Sequence, residues 1–487
     1  MNRRQCLTAL AGVAAVTALR GRHAAAAGPR AIPISFDPRE AGAEISPRFM
    51  GLGYEISSVA IPGLLRADNR SYVRMVRNLS TQGVIRVGGN TSDYAAWSPD
   101  GQALSAPKAT VINRQSLEDL AGFLRATGWT LIWGLNLGQN REEEAVREAR
   151  AVADAVGTPS VTFEIGNEPD LFAPAHRAHG YDFEQWWTQY GSYAARIAKA
   201  VPGAAFAGPD AAARTDWVAE FARRAPANVK LLTHHYYREG PPASPASTID
   251  TLLQPDPKLA RMLAELRTAS QAGDRPFRIC ETNSCFGGGK PGVSDAFASA
   301  LWALEYLFTL AEAGAQGLNM ETGVNQLGFV SSYSPIVATA GVPAGARNAS
   351  GEATGYIARP IYYGMLAFRH AGGGRLLPLR YDAGAAQMTA HAVLAADRRV
   401  TLVLINKEPA RDLEIRVAPP REYGLARVFP LSAPSVESKA GVRFGASAVS
   451  SDGRWTPAPT ETRRLPHAAA TFQLKAASAL LIQLLPA

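Results

Sequence analysis

Two glutamates that follow apolar segments are the residues of this chain best suited to chemistry. Glu168 lies in residues 164–169 (EIGNEP), and Glu281 lies in residues 279–283 (ICETN). Hydrolysis of a glycosidic bond needs one carboxylic acid to protonate the leaving oxygen and one carboxylate across the anomeric carbon. The Asn-Glu-Pro triplet together with a second glutamate predicts such a pair. A separation of about 5–5.5 Å between the two carboxyl groups would make the enzyme retaining.

Short apolar segments that turn polar at their C-terminal ends alternate with amphipathic patterns through most of the chain. Strands buried on both faces have this character. The predicted strands span residues 49–57, 83–89, 130–138, 160–168, 205–210, 229–237, 276–283 and 317–323. The predicted helices span residues 69–80, 115–127, 141–156, 182–200, 214–224, 256–271, 294–313 and 359–370. This alternation predicts an α/β fold, a (β/α)8 TIM barrel over residues 47–371.

The active site of such a barrel lies at the C-terminal ends of its strands. Strands four and seven face each other across the rim, so Glu168 and Glu281 are expected to point into one cleft. Further polar residues fall at the same strand ends, namely Glu55, residues 86–90, Asn136, Asp210, residues 234–237 and Glu321.

The C-terminal part of the chain has a different pattern. Residues 387–396, 399–405, 412–417 and 478–485 alternate between apolar and polar residues and are separated by Pro and Gly turns. This predicts an antiparallel β-sandwich over residues 372–487. Residues 31–46 are expected to add one or more strands to it.

The first 27 residues resemble a twin-arginine export signal. Arg3 and Arg4 precede an apolar stretch without acidic residues, and alanines 24–27 offer a cleavage site. We therefore expect an exported protein, periplasmic or extracellular. A membrane anchor is the alternative, but the apolar stretch is short, and no later one is long enough to span a bilayer.

Composition excludes several function classes. With 47% hydrophobic and 19% charged residues the chain is typical of a globular protein. The net charge of +8 becomes +4 without the four arginines of the signal, which does not indicate a nucleic-acid partner. A mildly basic surface is compatible with an acidic sugar. The oligomeric state stays open.

Two alternatives to carboxylate chemistry concern a metal and a thiol. His234 and His235 are adjacent, so a strand directs them to opposite faces and they cannot easily share one ion. No metal or other cofactor is expected. Strand alternation likewise predicts that Cys280 points away from Glu281, towards the helices, as buried packing. A local disulfide between Cys280 and Cys285 remains possible.

Several segments resemble glycoside hydrolase family 79, which contains heparanases and β-glucuronidases. The most similar are residues 281–291 (ETNSCFGGGKP) and 294–298 (SDAFA), with residues 86–89 (RVGG), 164–169 (EIGNEP) and 234–237 (HHYY) in support. The resemblance spans most of the barrel and carries no motif in the sandwich. It implies a substrate that contains β-linked glucuronic acid, either a glycan or a simple glucuronide.

The resemblance also implies residue roles. Glu168 is the expected acid/base and Glu281 the nucleophile. Gly287 and Gly288 are expected to bind the substrate carboxylate through backbone N–H groups, as a glycine nest can. The other implied roles are Tyr333 at the same carboxylate, Tyr236 beside the nucleophile, Glu55 at the terminal sugar hydroxyls and Asn167 at the 2-hydroxyl.

The cutting position is the main open question. The loop of residues 324–358 is long and has few basic residues, which favours an exo-acting β-glucuronidase. An endo-acting, heparanase-like enzyme on heparan sulfate-type chains is the alternative. Two others are a barrel glycosidase for a neutral sugar and a carbohydrate-binding barrel without activity, although the latter would not need an intact carboxylate pair.

Overall fold

Eight parallel strands close into a barrel in the computed structural model, which describes residues 31–102, 110–323, 331–339, 355–466 and 469–487. The predicted TIM barrel is confirmed. Its strands are Gly51–Glu55, Val84–Gly88, Thr130–Leu135, Val161–Ile165, Ala205–Ala211, Val229–Glu239, Phe277–Cys285 and Gly317–Glu321. They pair in chain order, and the eighth pairs with the first. The expected export signal, residues 1–27, lies outside the described residues.

Helices follow the strands and cover the barrel. They span Arg70–Leu79, Arg114–Thr127, Glu142–Val156, Phe183–Ala200, Thr215–Arg224, Ile249–Leu253, Pro257–Gly273, Ala298–Glu312 and Pro360–Ala371. Side-chain caps fix several starts, as where Asp182 and Gln185 form a reciprocal capping box. The helix Ala298–Glu312 is apolar on nearly all sides because it is buried almost entirely.

Two sheets form the C-terminal sandwich. The first contains, in order, Arg380–Tyr381, Ile32–Ser35, Leu413–Val417 and Ala470–Leu474. The second contains Arg375–Leu376, Met388–Leu394, Val400–Asn406, Ser478–Pro486, Tyr423–Ser432 and Arg443–Phe444, with Glu461–Arg464 also on Tyr423–Ser432. Ile32–Ser35 thus reaches the sandwich from the N-terminal side of the barrel.

The sandwich packs directly on the barrel. Val403, Phe429 and Leu481 belong to the same apolar core as the helix Pro360–Ala371. A buried ion pair joins Lys407 Nζ to Glu305 at 2.8 Å across this boundary. Two short two-stranded sheets, Ala95–Trp97 with Thr110–Ile112 and Ile336–Ala338 with Tyr356–Ala358, lie beside the barrel. Among the described residues, no helix is both long and apolar enough to cross a membrane.

Candidate active site

A cavity of about 680 Å³ opens at the C-terminal end of the barrel. Four glutamates line it, Glu55, Glu168, Glu281 and Glu321, each on a different barrel strand or just after one. None of the described residues that line it is a lysine or an arginine. A second cavity of about 420 Å³ shares His235, residues 236–237 and Phe286 with the first.

Glu168 and Glu281 meet in this cavity, as the sequence predicts. One carboxylate oxygen of each lies within 4.8 Å of the other. Glu168 follows its strand in a left-handed conformation with φ of 51°, uncommon for a residue other than glycine. The amide of Glu168 donates to the Asp210 carbonyl at 3.0 Å, which holds this turn in place.

The carboxylate of Glu281 is held in its ionised form. Burial alone would raise its pKa, but the charges of His235 and Arg86 outweigh that effect and lower it. Arg86 Nη1 donates to one Glu281 oxygen at 2.6 Å, and the Tyr237 hydroxyl donates to the other at 2.9 Å. An ionised, oriented carboxylate is what a nucleophile requires.

The pKa of Glu168 is shifted in the opposite direction. Burial raises its pKa above the ordinary value, although the His235 imidazole counteracts this. Nδ1 of His235 lies 2.9 Å from Oε1 of Glu168, and Nε2 lies 2.8 Å from Oδ1 of Asp210. Two carboxyl groups whose pKa values are pushed apart suit an acid and a nucleophile in one site.

Arg86 lies beneath the cavity at the centre of a buried ionic cluster. Besides Glu281 it contacts Asp210 at 2.6 Å and Glu164 at 3.2 Å. Burial disfavours charge on His235, but Asp210 and Glu281 raise its pKa well above the ordinary value. Two cations, Arg86 and His235, therefore offset the anions Asp210 and Glu281.

The two remaining carboxyl groups of this cluster favour protonation. Burial, then Asp210, raises the pKa of Glu164 to about 7. Protonation of Glu164 or Glu168 reduces the negative charge of the cluster, which limits the cost of burying it.

A β-bulge in the seventh strand corrects the expectation for Cys280. Pairing with the sixth strand shifts between Ile279 and Glu281, so Cys280 is an extra residue. The bulge breaks the alternation on which the prediction depended, and Cys280 and Glu281 both face the barrel interior. Cys280 packs there in a small buried cluster with Val84, Ile132, Ala207 and Leu231. Cys280 and Cys285 are both free thiols, so the possible disulfide is not formed.

The expectation that Tyr236 contacts the nucleophile is wrong. Its hydroxyl donates to Asp256 at 2.7 Å and its ring stacks on Tyr306 of a surrounding helix. The neighbouring Tyr237 makes the contact with Glu281 instead. Alternation in the sixth strand places His235 and Tyr237 on the inner face and Tyr236 towards the helices, although part of Tyr236 still borders the cavity.

Glu55 and Asn167 lie on the other side of the cavity. The Glu55 carboxylate accepts from the Thr91 amide at 2.8 Å and hydroxyl at 2.6 Å. Burial, then Glu281, raises its pKa to about 7. Asn167 accepts a hydrogen bond from Arg86 at 2.8 Å and donates one to Asn90 at 3.2 Å. Asn90 lines the cavity, and Asn167 does not.

Gly287, Gly288 and Tyr333 all line the cavity. The two glycines have φ of 76° and 89°, a conformation that other residues rarely adopt. The Ser332 amide donates to the Gly288 carbonyl at 2.6 Å, which joins the glycine turn to the segment with Tyr333. Most of the long loop of residues 324–358, namely 324–330 and 340–354, lies outside the described residues.

Two groups of side chains within the described ranges have donor atoms close enough for a metal ion. They are Glu168 with His235 and Glu281, and Glu164 with Asp210 and Cys280. Arg86 already contacts Glu281, Glu164 and Asp210, so a guanidinium supplies the positive charge at both places. His234 faces away from His235, and its Nδ1 contacts the His235 carbonyl at 2.5 Å.

The sequence did not reveal four residues of this site in their roles: Arg86, Asp210, His235 and Tyr237. Each was noted as polar at a strand end, and Arg86, His235 and Tyr237 also lie in segments that resemble the family, but neither signal gave these residues a role. Their roles depend on neighbours 25 to 195 positions away in the chain.

The chain is similar to β-glucuronidases over half of its length. It is 26% identical over 278 residues to a β-glucuronidase of Aspergillus niger, covering 50% of this chain and 51% of that one. It is 25% identical over 285 residues to a β-glucuronidase of Neurospora crassa, with the same coverage. The chain thus spans about half the length of these curated relatives. No protein-family model matches it.

Solved structures share the fold almost throughout. A 4-O-α-L-rhamnosyl-β-D-glucuronidase from Fusarium oxysporum superposes with a TM-score of 0.72 at 18% identity, over 93% of this chain and 99% of that one. A family 51 arabinofuranosidase from Xanthomonas axonopodis gives 0.67 at 16% identity, over 93% and 99%. At these identities the likeness shows the barrel-and-sandwich fold.

Proposed function

We propose that this chain is a glycosidase, a retaining β-glucuronidase of glycoside hydrolase family 79. The observation that carries the proposal is the pair Glu168 and Glu281, whose oxygens lie within 4.8 Å and whose pKa values shift in opposite directions. Oxygens this close suit the approximately 5–5.5 Å between the carboxyl groups of retaining enzymes and favour that mechanism over the about 6.5–9.5 Å of inverting ones. Similarity to two β-glucuronidases over half the chain supports the sugar class.

The reaction proceeds by double displacement. An oxygen of Glu281 attacks the anomeric carbon while Glu168 transfers its proton to the leaving oxygen, which gives a covalent glycosyl-enzyme. Glu168, now ionised, removes a proton from water, and the resulting hydroxide displaces Glu281. Arg86 and Tyr237 orient Glu281, and His235 stabilises Glu168 when it is ionised.

The sugar carboxylate is assigned to the side of the cavity with Gly287, Gly288 and Tyr333. Neither glycine amide donates to another described backbone group, so both N–H groups remain for an anion. Glu55, on the first strand, then contacts the sugar hydroxyls. Asn167 reaches the 2-hydroxyl side directly or through Asn90, to which it is hydrogen-bonded.

Exo action is the proposed mode. The cavity has no basic side chain among its described lining residues, whereas an endo-enzyme uses such groups to hold sulfated chains on both sides. The second cavity favours the endo alternative, since Arg238, Lys258 and Arg261 line it and it adjoins the first. Labelled heparan-type oligosaccharides separate the two modes: exo action releases free glucuronic acid from the non-reducing end, and endo action releases shorter chains.

The first experiment compares 4-nitrophenyl β-glucuronide with the β-glucoside, with Glu281→Gln as the inactive control. Cleavage of the glucuronide by the wild type alone is the expected result. Cleavage of the glucoside alone would leave the carboxylate pair standing but reject the uronate assignment in favour of a neutral-sugar glycosidase. Activity equal in wild type and Glu281→Gln would reject the nucleophile. A carbohydrate-binding barrel would bind the sugar and cleave none of these substrates, longer chains included.

The acid/base role has its own test. Glu168→Gln is expected to keep the first step with a good leaving group such as dinitrophenol and to lose it with a poor one such as methanol. Azide, which needs no general base, should restore turnover of the activated substrate and give a β-glycosyl azide. An α-configured product would contradict the retaining mechanism.

A further inference from the structure

A fourth glutamate in the cavity has no part in the mechanism above. Glu321 ends the eighth strand, lines the cavity and is 4% exposed. Its Oε2 is buried and has no hydrogen-bond partner. Glu321 pairs in register with Gly53, and a Cβ at position 53 would lie 2.5 Å from this oxygen. The glycine therefore leaves the space that the Glu321 carboxyl group occupies.

Glu321 lies beside the residues assigned to the substrate carboxylate. The amide of Asn283 donates to the Glu321 carbonyl at 2.9 Å and to the Tyr333 carbonyl at 3.3 Å. Tyr333 in turn follows Ser332, whose amide bonds to Gly288. One hydrogen-bonded series thus joins Glu321, Tyr333 and the glycine turn along the same wall.

This wall presents an electrostatic problem for a uronate. Four carboxyl groups line the cavity, without a lysine or arginine among its described lining residues, yet the proposed substrate brings another negative charge. Arg86 lies below and is already bonded to Glu281, Asp210 and Glu164. A substrate carboxylate would be repelled unless some of the glutamates are neutral.

The surroundings of Glu321 favour its protonated form. Burial raises its pKa well above the ordinary value, and the charges of Glu281 and Glu55 raise it further. Arg86 and His235 act in the opposite direction without reversing the shift. The hydroxyls of Tyr54 and Tyr333 also interact with Glu321, and neither carries a charge at neutral pH. A neutral carboxylic acid is a hydrogen-bond donor, which an ionised one is not.

We propose that Glu321, as a protonated carboxylic acid, donates a hydrogen bond to the carboxylate of the bound glucuronate and so selects the uronate over the neutral sugar. The inference depends on the proposed function and names a specificity residue for it. The O–H···O⁻ bond is among the stronger hydrogen bonds. It would give the substrate carboxylate a strong hydrogen-bond donor in place of a lysine or arginine, without a permanent charge beside Glu281.

The test measures KM and kcat for 4-nitrophenyl β-glucuronide between pH 5 and pH 9. In the wild type, KM is expected to rise with pH as Glu321 loses its proton, because the donor is replaced by a repelling charge. Glu321→Gln keeps a donor that does not titrate, so its KM should rise much less with pH than that of the wild type, and the remaining rise comes from Glu55, whose pKa is raised to about 7. Glu321→Leu should raise KM by roughly 10- to 100-fold, the loss expected for a hydrogen bond to a charged group, with a much smaller change in kcat.

Glu55→Gln is the matched control, because it neutralises another buried glutamate of the same cavity but lies on the hydroxyl side. The rise of KM with pH should persist in it but begin at lower pH, because the charge of Glu55 raises the pKa of Glu321. If the wild type does not cleave the glucuronide, the proposed function itself is rejected. An active wild type whose KM is flat with pH, a Glu321→Gln variant that keeps the full rise, or a Glu321→Leu variant with unchanged KM would reject the role of Glu321 alone.

Discussion

Nδ1 of His235 lies 2.9 Å from Oε1 of Glu168, so the group expected to deliver the proton is bonded to a buried cation. The second nitrogen of the ring bonds to Asp210, which fixes the ring and stabilises its positive charge. Burial favours the protonated form of Glu168, and His235 limits that preference. This arrangement suits a residue that must be an acid in one step and a base in the next.

Removal of the His235 charge is expected to shift the pH profile. His235→Gln removes the cation that lowers the pKa of both Glu168 and Glu281. Both limbs of the profile of kcat/KM should therefore move to higher pH, the acidic limb with Glu281 and the basic limb with Glu168. The value at the optimum should fall roughly 10- to 100-fold, as for a lost hydrogen bond to a charged group. His234→Gln, whose ring faces away, should leave the profile in place, and an unmoved profile in His235→Gln would contradict the argument.

The two tyrosines of the sixth strand should differ in their effects. Tyr237→Phe removes the hydrogen bond to Glu281, so kcat/KM should fall by about 10-fold or more and the acidic limb should move to higher pH. Tyr236→Phe removes only the bond to Asp256. It should lower the thermal midpoint slightly and leave the acidic limb unchanged. Steady-state kinetics and thermal unfolding of both variants check this. A larger loss of kcat/KM in Tyr236→Phe than in Tyr237→Phe would indicate that Tyr236 is the tyrosine that acts on the nucleophile.

Arg86 is expected to matter for folding as well as for activity. Arg86→Met leaves Asp210 buried without its main cation and Glu281 without the guanidinium bonded to it. Such a loss costs about 3–5 kcal/mol, because the remaining charges stay desolvated. Arg150→Met, which breaks an exposed pair with Asp154, should change stability by less than about 0.5 kcal/mol. Calorimetric midpoints of the two variants compare the effects, and equal midpoints would show that the buried cluster contributes no net stability.

Substitution of two glycines with similar backbone angles can distinguish an effect on substrate binding from an effect of backbone strain. Gly287 has φ of 76° and lines the cavity, whereas Gly292 has φ of 83° with open space around it. An alanine at either position costs about 1–2 kcal/mol in the left-handed region. Gly287→Ala should also displace the anion-binding amides and raise KM for the glucuronide about tenfold, the lower bound for losing a bond to a charged group. Gly292→Ala should keep KM, and equal KM values would reject the nest.

The fold and the two carboxylates proposed to be catalytic were predictable from the sequence because their signals are local. An apolar segment that ends in a polar residue indicates a buried barrel strand, and each of the eight predicted strands overlaps an observed one. Glu168 and Glu281 follow such segments in distinctive contexts. Chain order in a closed barrel then places strands four and seven across from each other.

The remaining features of the site depend on contacts that no local pattern encodes. Arg86 is one polar residue within an apolar strand, and its ion pairs come from strands four, five and seven. Tyr236 and Tyr237 are chemically the same, so only the register of the strand decides which of them faces Glu281. The raised pKa of Glu321 follows from burial beside two other glutamates, which is a property of the assembled cavity.

The extra residue Cys280 decides on which face of the seventh strand the side chain of Glu281 lies. If the strand kept its length without the bulge, alternation would make Cys280 the inward residue and turn Glu281 towards the helices, while the strand would still be apolar and still pair with its neighbours. Deletion of Cys280 should instead remove the bulge and leave the glutamate opposite His235 on the inner face. A relative with one residue fewer between Phe277 and the glutamate would then present the same side chain to the cavity from a regular strand.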